Sequence, residues 1–288
     1  MQAGVGLEFL HDSVILDDGR RLAFSTLGPA DGFPIVYLHG GVGTALTSSP
    51  ELSEAVDELG IQWVAVSRPG FGTSDGHPER SMLTVAADIE QLAWRRGWTQ
   101  IAVVGVSTGG PYALACGAAL PQLVGAVAIA ASLSSLRPPH AVPGLPLHTR
   151  AFMAALVAAP ERCIRLLDVA ARGLHAHERW IARLLGPSRA PAVHALSAAT
   201  KHGVRGAVED FLVCARPWGF DPASLAIDVH IWHGLRDRVA PAEHAWQLAA
   251  ALPCCRVAID PDETHFFFRR RCAEIAAELV GAGRSAHR

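Results

Sequence analysis

Residues 105–110 read GVSTGG, a serine with glycine two positions away on either side. The stretch follows an apolar run, IAVVGVS (101–107), and opens a helical pattern, TGGPYALACGAAL (108–120). A serine on so tight a strand-to-helix turn is held in a strained backbone conformation that lifts its hydroxyl clear of the sheet. Its flanking positions pass so close to other backbone that they must be glycine. The amides that open the next helix point at the same spot and favour a developing negative charge. That is the chemistry of a nucleophile, and Ser107 is its candidate. A serine that merely caps a helix in a glycine-rich turn is the plainer alternative.

A serine hydroxyl needs a base, usually histidine, and the histidine needs a carboxylate to fix its tautomer and stabilise the imidazolium. The chain has fourteen histidines, so position must choose among them. In an open α/β sheet, reacting groups gather beyond the carboxyl ends of the strands. Three segments end in that way: 101–106, 226–232 and 256–260. The residues beyond them include Ser107, Asp237 and His265, so His265 is the expected base and Asp237 the expected orienting acid. Asp228 precedes its strand and lies at the wrong end. Asp260, Asp262 and Glu263 are too near His265 along one loop to reach behind its ring. The loop after 123–131, SLSSLR, holds no acid. His233 sits at a strand end with a packing or hydrogen-bonding role.

The elements that must position these groups alternate. DDG (17–19) turns a hairpin over residues 12–27. IVYL (35–38), WVAVS (63–67), IAVVGVS and LVGAVAIAA (123–131) read as strands apolar on both faces. Helical spacing covers 51–60, 81–98 and 108–120 between them. Such alternation predicts an α/β fold with a mostly parallel sheet covered by helices on both sides. From about 147 to 216 the chain is helical in composition, and the strand pattern resumes at AIDVHIW (226–232). A helix over 241–253, a strand at RVAID (256–260) and a helix over 265–280 complete it. The division expected is a core over 1–136 and 217–288, interrupted by a helical insert at 137–216.

Bulk properties narrow the partners. Of 288 residues, 50% are hydrophobic, and the net charge is -2 with a pI near 6.7. This balance points away from nucleic acid and from an anionic membrane surface. The longest apolar runs fall short of the roughly 20 residues a bilayer requires. The N-terminal stretch lacks the basic start and apolar core of a signal peptide. Six scattered cysteines without a CxxC pair fit buried thiols in the cytoplasm.

HGG (39–41), RPGFGTSD (68–75), GVSTGGPYALA (105–115), HGLRDRVAP (233–241) and THFFF (264–268) together resemble the α/β-hydrolase family, in order along the chain. The order Ser, Asp, His is also that family's. The resemblance covers about residues 12–135 and 225–282; the segment 137–216 is similar only to the variable helical cap that many members carry. It implies an oxyanion hole built from the amides of Gly41 and Thr108, with His39 bracing that loop. Some features depart from relatives. Thr264 stands where many have glycine. HGGVG lacks the proline of the prolyl aminopeptidase HGGPG, and Thr108 replaces their tryptophan, which argues against a peptidase. A serine nucleophile argues against epoxide hydrolases and haloalkane dehalogenases.

Other signals are weaker. HAHE (175–178) places two histidines at i and i+2, on different helix faces, so no metal site is expected. Arg162, Arg165, Arg172 and Arg179 form a solvated helix face or meet an anionic substrate. WGF (218–220) is a pocket wall or a packed junction, and FFF (266–268) anchors the last helix. No P-loop or dinucleotide fingerprint is present and no cofactor is expected. The expected reaction is acyl transfer from an ester-like small molecule to water. Thioesterase, amidase or aminopeptidase, lactonase and C–C hydrolase chemistry use the same machinery. The reading from another class is a ligand-binding protein that kept the fold without turnover.

Overall fold

The computed structural model describes residues 9–41, 50–135, 147–186, 193, 196–197, 200–201 and 203–285. The loop expected over 137–146 and the glycine-rich stretch beyond Gly41 lie outside them. Eight strands form one sheet: β1 (Leu10–Ile15), β2 (Arg21–Leu27), β3 (Phe33–Leu38), β4 (Ile61–Val66), β5 (Ile101–Val106), β6 (Val124–Ala130), β7 (Val229–Gly234) and β8 (Cys255–Asp260). Their spatial order is β1-β2-β4-β3-β5-β6-β7-β8. The β1–β2 hairpin and the β2–β4 pair are antiparallel; every pairing from β4 through β8 is parallel.

The helices are α1 (Pro50–Leu59), α2 (Met82–Arg96), α3 (Gly109–Ala119), α4 (Leu147–Ala158), α5 (Pro160–Leu185), α6 (Arg205–Cys214), α7 (Glu243–Ala251) and α8 (Phe268–Ser285). Alternation along each strand sorts side chains to two faces. Val103 of β5, with Val127 and Ile129 of β6, packs with α2, α3 and α7. Ala102 and Val104 of β5, with Ala126, Ala128 and Ala130 of β6, face α1 and α8. The run of alanines leaves room for α8 to lie close on β6. Central strands buried on both faces therefore read as continuous apolar runs. Helix α2 begins where Ser81 predicts: its hydroxyl accepts from the Thr84 amide in a capping box, and Gly97 closes the helix at φ 69°.

The insertion between β6 and β7 holds α4, α5 and α6, which share a small core of Leu156, Ile164, Ala171, Val204 and Val208. Phe211 on α6 packs against both this cluster and the main core. Several boundaries differ from expectation by a few residues, β7 starting at Val229 rather than 226 among them, and one bears on the site. The last helix starts at Phe268 rather than 265, so His265 stands on the preceding loop. Phe267 and Phe268 are buried and anchor the helix start, while Phe266 is exposed.

Candidate active site

Ser107 directly follows β5 with φ 56°, one of two non-glycine residues with positive φ among those described. The other, Ala131, directly follows the neighbouring β6. Such conformations cost about 1–3 kcal/mol each and persist only where surrounding structure imposes them. Here the imposing contacts are visible. A Cβ at Gly105 would run into the Gly109 carbonyl, and one at Gly109 into the Leu38 carbonyl. The Ser107 amide donates to the Ala130 carbonyl at 3.0 Å, and the Ala131 amide to the Trp232 carbonyl at 2.9 Å. These bonds stitch the carboxyl ends of β5, β6 and β7 into one rim.

The same rim carries the other two candidates. The loop after β7 is tied to the loop after β8: the amide of Leu235 donates to Asp260 at 2.8 Å and that of Arg236 to Glu263 at 3.0 Å. Asp237 is buried. One of its oxygens, Oδ1, accepts from the amides of Val239 (2.8 Å) and Ala240 (2.9 Å). Its Oδ2 takes the Nδ1–H of His265 at 2.7 Å. A carboxylate at that position orients the ring and favours the tautomer with its proton on Nδ1, which leaves Nε2 unprotonated. Among the described residues Ser107 has no hydrogen bond to His265, so the structure joins His265 to Asp237 but not Ser107 to His265. The alternative acids are engaged elsewhere: Asp260 with Arg271, Asp262 with Arg236, Glu263 with Arg270. Asp228 lies at the start of β7, against Cys254.

The residues expected to hold an oxyanion converge on this turn. A Cβ at Gly40 would lie 3.8 Å from Ser107 Oγ, and one at Gly41 would lie 3.2 Å from the Thr108 side chain. A Gly40 Cβ would also stand 3.2 Å from Ser107 Cβ, so the loop backbone runs close beside the serine. His39 braces that loop. Its Nδ1–H donates to the Gly40 carbonyl at 2.7 Å, and its Nε2 faces the Arg68 amide at 3.4 Å. Burial, helped by the Arg68 charge, pulls the His39 pKa down to about 3. His233 donates Nε2–H to the Ala240 carbonyl at 2.8 Å and is also pushed down by burial. His244 accepts the Ser134 amide at Nδ1, 2.9 Å away, and burial lowers it to about 4.

These neutral histidines set an acid limit. A group whose folded pKa lies below its unfolded value of about 6.5 takes up its proton first in the unfolded chain. Stability is therefore complete above pH 6.5 and falls as pH drops toward the folded values near 3 and 4. Two such groups remove roughly 3 kcal/mol between pH 6.5 and 5, the slope of each approaching about 1.4 kcal/mol per unit as pH falls below 6.5. Urea unfolding at pH 7.5, 6 and 5 measures this; a midpoint that stays constant over that range contradicts it.

One cluster beside the site escaped the sequence reading. Asp210 on α6 is fully buried and bonded to both Arg68 and Arg80. It also accepts from Thr108 Oγ1 at 3.2 Å and Tyr112 Oη at 3.0 Å. Burial would raise its pKa, but the two guanidinium charges overcome this and hold it below the usual carboxylate range. Arg68 and Arg80 stand in or beside the turn-rich 68–80 segment, and Asp210 is 142 residues from Arg68. The only local clue is an aspartate set among the apolar residues of a short helix.

His175 bonds the Ser197 carbonyl at 3.0 Å, while His177 is exposed. Trp218 and Phe220 stack and pack on the core. Arg162, Arg165, Arg172 and Arg179 are exposed. Among the described residues no group of histidine, cysteine and acidic side chains is arranged to hold a metal ion, and no helix is long and apolar enough to cross a membrane.

A family model described as "alpha/beta hydrolase fold" matches residues 34–269. Proline iminopeptidase of Xylella fastidiosa strain 9a5c is 32% identical over 117 residues, 40% of this chain and 37% of that protein. The match thus spans little over a third of that relative. Among solved structures, the esterase EaEST of Exiguobacterium antarcticum superposes with a TM-score of 0.72 at 19% identity, covering 94% of this chain and all of the other. The esterase RhEst1 of Rhodococcus sp. ECU1013 gives 0.67 at 20% identity over 96% and 99%. The epoxide hydrolase CorEH gives 0.73 at 18% identity over 96% and 98%. At such identities the structures share the fold alone.

Proposed function

The chain belongs to the alpha/beta hydrolase fold family, and on that premise we propose that it is a serine hydrolase cleaving an ester-like bond of a small molecule. The observation that carries the reading is the buried Asp237 taking His265 Nδ1–H on the rim that also bears the strained Ser107. His265 Nε2 accepts the Ser107 proton as Oγ adds to the carbonyl carbon. The carbonyl electron pair moves to oxygen, where the amides of Gly41 and Thr108 receive it. Each such donor contributes about 3–4 kcal/mol. Neither amide donates to another backbone carbonyl among the described residues. The imidazolium then protonates the leaving alcohol as the tetrahedral adduct collapses to an acyl-serine. A water deprotonated by His265 attacks that acyl group, and the serine leaves with the proton.

The inserted helices α4–α6 act as a cap over this rim. Phe211 supports that role, because it comes within 3.3 Å of where a Gly41 Cβ would stand. A cytoplasmic location is supported by six cysteines that form no disulfide.

A second reading, removal of an N-terminal proline, takes its support from the partial likeness to a proline iminopeptidase. Against it stand Val42, where HGGPG has proline, and Thr108 in place of tryptophan. Assay of the purified protein with p-nitrophenyl acetate, p-nitrophenyl butyrate and proline p-nitroanilide separates the two. Hydrolysis of the esters with at least a hundredfold lower kcat/KM on the anilide is expected. Preference for the anilide contradicts the esterase reading. No turnover of any, with no labelling of Ser107, favours a binding protein.

A further inference from the structure

The buried charged cluster lies where an inserted helix meets the oxyanion loop, and its contacts reach both arms of the site. Arg68 bonds the His39 carbonyl, at the base of the Gly40–Gly41 loop, and its other terminal nitrogen lies 3.4 Å from Thr108 Oγ1. Asp210 holds that same Arg68 and also accepts the Thr108 hydroxyl. Tyr112, one turn along the helix that Ser107 precedes, donates its hydroxyl to Asp210. Arg80 completes the set by bonding Asp210 and the carbonyls of Pro69 (2.7 Å) and Gly206 (3.2 Å). The approach is made possible by two glycines. A Cβ at Gly206 would collide with the Gly70 carbonyl, so α6 seats directly on the loop after β4.

We propose that Asp210 is a positioning residue for the oxyanion hole: one carboxylate, carried by the inserted helix α6, fixes the Gly40–Gly41 loop through Arg68 and the Thr108 turn through its hydroxyl. The inference rests on the acyl-transfer reading and deepens it. Three features support it. Asp210, Arg68 and Arg80 are nearly or wholly withdrawn from solvent, so their geometry is not averaged by water. Charge-assisted bonds of this kind are the strong and directional ones. Both segments that supply the proposed amides end on the same carboxylate, so one movement of α6 displaces both. It follows that α6 does not swing away as a lid.

The consequence is selective. Oxyanion donors act on charge that exists only in the transition state, so misplacing them lowers kcat and leaves KM nearly unchanged. With p-nitrophenyl butyrate as substrate, Asp210→Asn is expected to lower kcat about 100-fold with KM within threefold, of the size seen when one donor is lost. Asp210 is buried between two arginines, and its substitution can unfold the protein. Thr108→Val carries the test without that hazard, because it removes only the hydroxyl that reaches Asp210. A tenfold fall in kcat is expected, with most of the loss recovered by Thr108→Ser. Butaneboronic acid, which forms a tetrahedral adduct on the serine, reports the hole directly. Its affinity is expected to fall in step with kcat for each folded variant.

An active wild type whose Thr108→Val keeps full kcat, or whose loss Thr108→Ser fails to recover, overturns the positioning role alone. So does a fall in kcat with unchanged boronate affinity. A wild type that neither turns over p-nitrophenyl butyrate nor binds the boronate removes the acyl-transfer reading, and the positioning role with it.

Discussion

Replacing Ser107 by alanine is expected to lower kcat for p-nitrophenyl butyrate by about 10^6-fold, close to 8 kcal/mol of activation free energy. The substitution deletes one oxygen and leaves the rim intact. The turn is held by backbone bonds, from the Ser107 amide to Ala130 and from Leu133 to the Ser107 carbonyl, which alanine retains. Its φ of 56° is as accessible to alanine as to serine. The folded state should therefore survive with a melting temperature within a few degrees of the parent. What remains is catalysis by the amides and by binding, which stays above the rate in water because these act without the nucleophile. Steady-state kinetics beside circular dichroism checks both halves. An alanine variant with activity near the parent's places the nucleophile elsewhere.

Asp237→Asn is expected to cost about 10^4 in kcat, an effect of tautomer rather than of shape. The carboxylate accepts three hydrogen bonds, two from the amides of Val239 and Ala240 on one oxygen and one from His265 on the other. Asparagine has one acceptor oxygen. If that oxygen stays with the amides, its NH2 faces His265 Nδ1, and the ring must accept there. The proton then moves to Nε2, the nitrogen that must be free to take the serine proton. If the amide group flips, two backbone donors lose their buried acceptor, at about 1–3 kcal/mol for each unsatisfied group. Either outcome is damaging, and neither changes the substrate site, so KM should hold. Activity within tenfold of the parent would move the orienting role to Asp260, Asp262 or Glu263. Those three are committed to arginines in this structure.

The parts legible in the sequence were those with short-range physical signatures. The serine turn announced itself because Gly105 and Gly109 are forced by backbone approaching within a few residues or from one neighbouring strand. The central strands of the parallel sheet were readable because burial on both faces makes them continuous apolar runs, whereas the edge strand β8 is largely exposed. Asp237 and His265 are candidates through a topological rule about strand ends, and they lie within a 2.7 Å hydrogen bond of each other. The start of the last helix was misplaced by three residues. Thr264 offers an N-cap residue type just before His265, but the buried Phe267–Phe268 pair, not the polar histidine, marks where packing begins. The Arg68–Arg80–Asp210 cluster was not readable at all. Its members interact across more than a hundred residues, and a buried aspartate on an amphipathic helix looks in sequence like any surface acid. Only the fold brings two positive charges to it.

The central claim is that Ser107 is a nucleophile activated by His265 under the control of Asp237. The most direct measurement is reaction of the purified protein with a fluorophosphonate, followed by peptide mass spectrometry. The predicted result is one phosphonyl group per chain, on Ser107, formed at least a hundredfold more slowly in His265→Gln and absent in Ser107→Ala. An unlabelled protein, a label on another residue, or a His265→Gln variant that reacts at the parent's rate would contradict it.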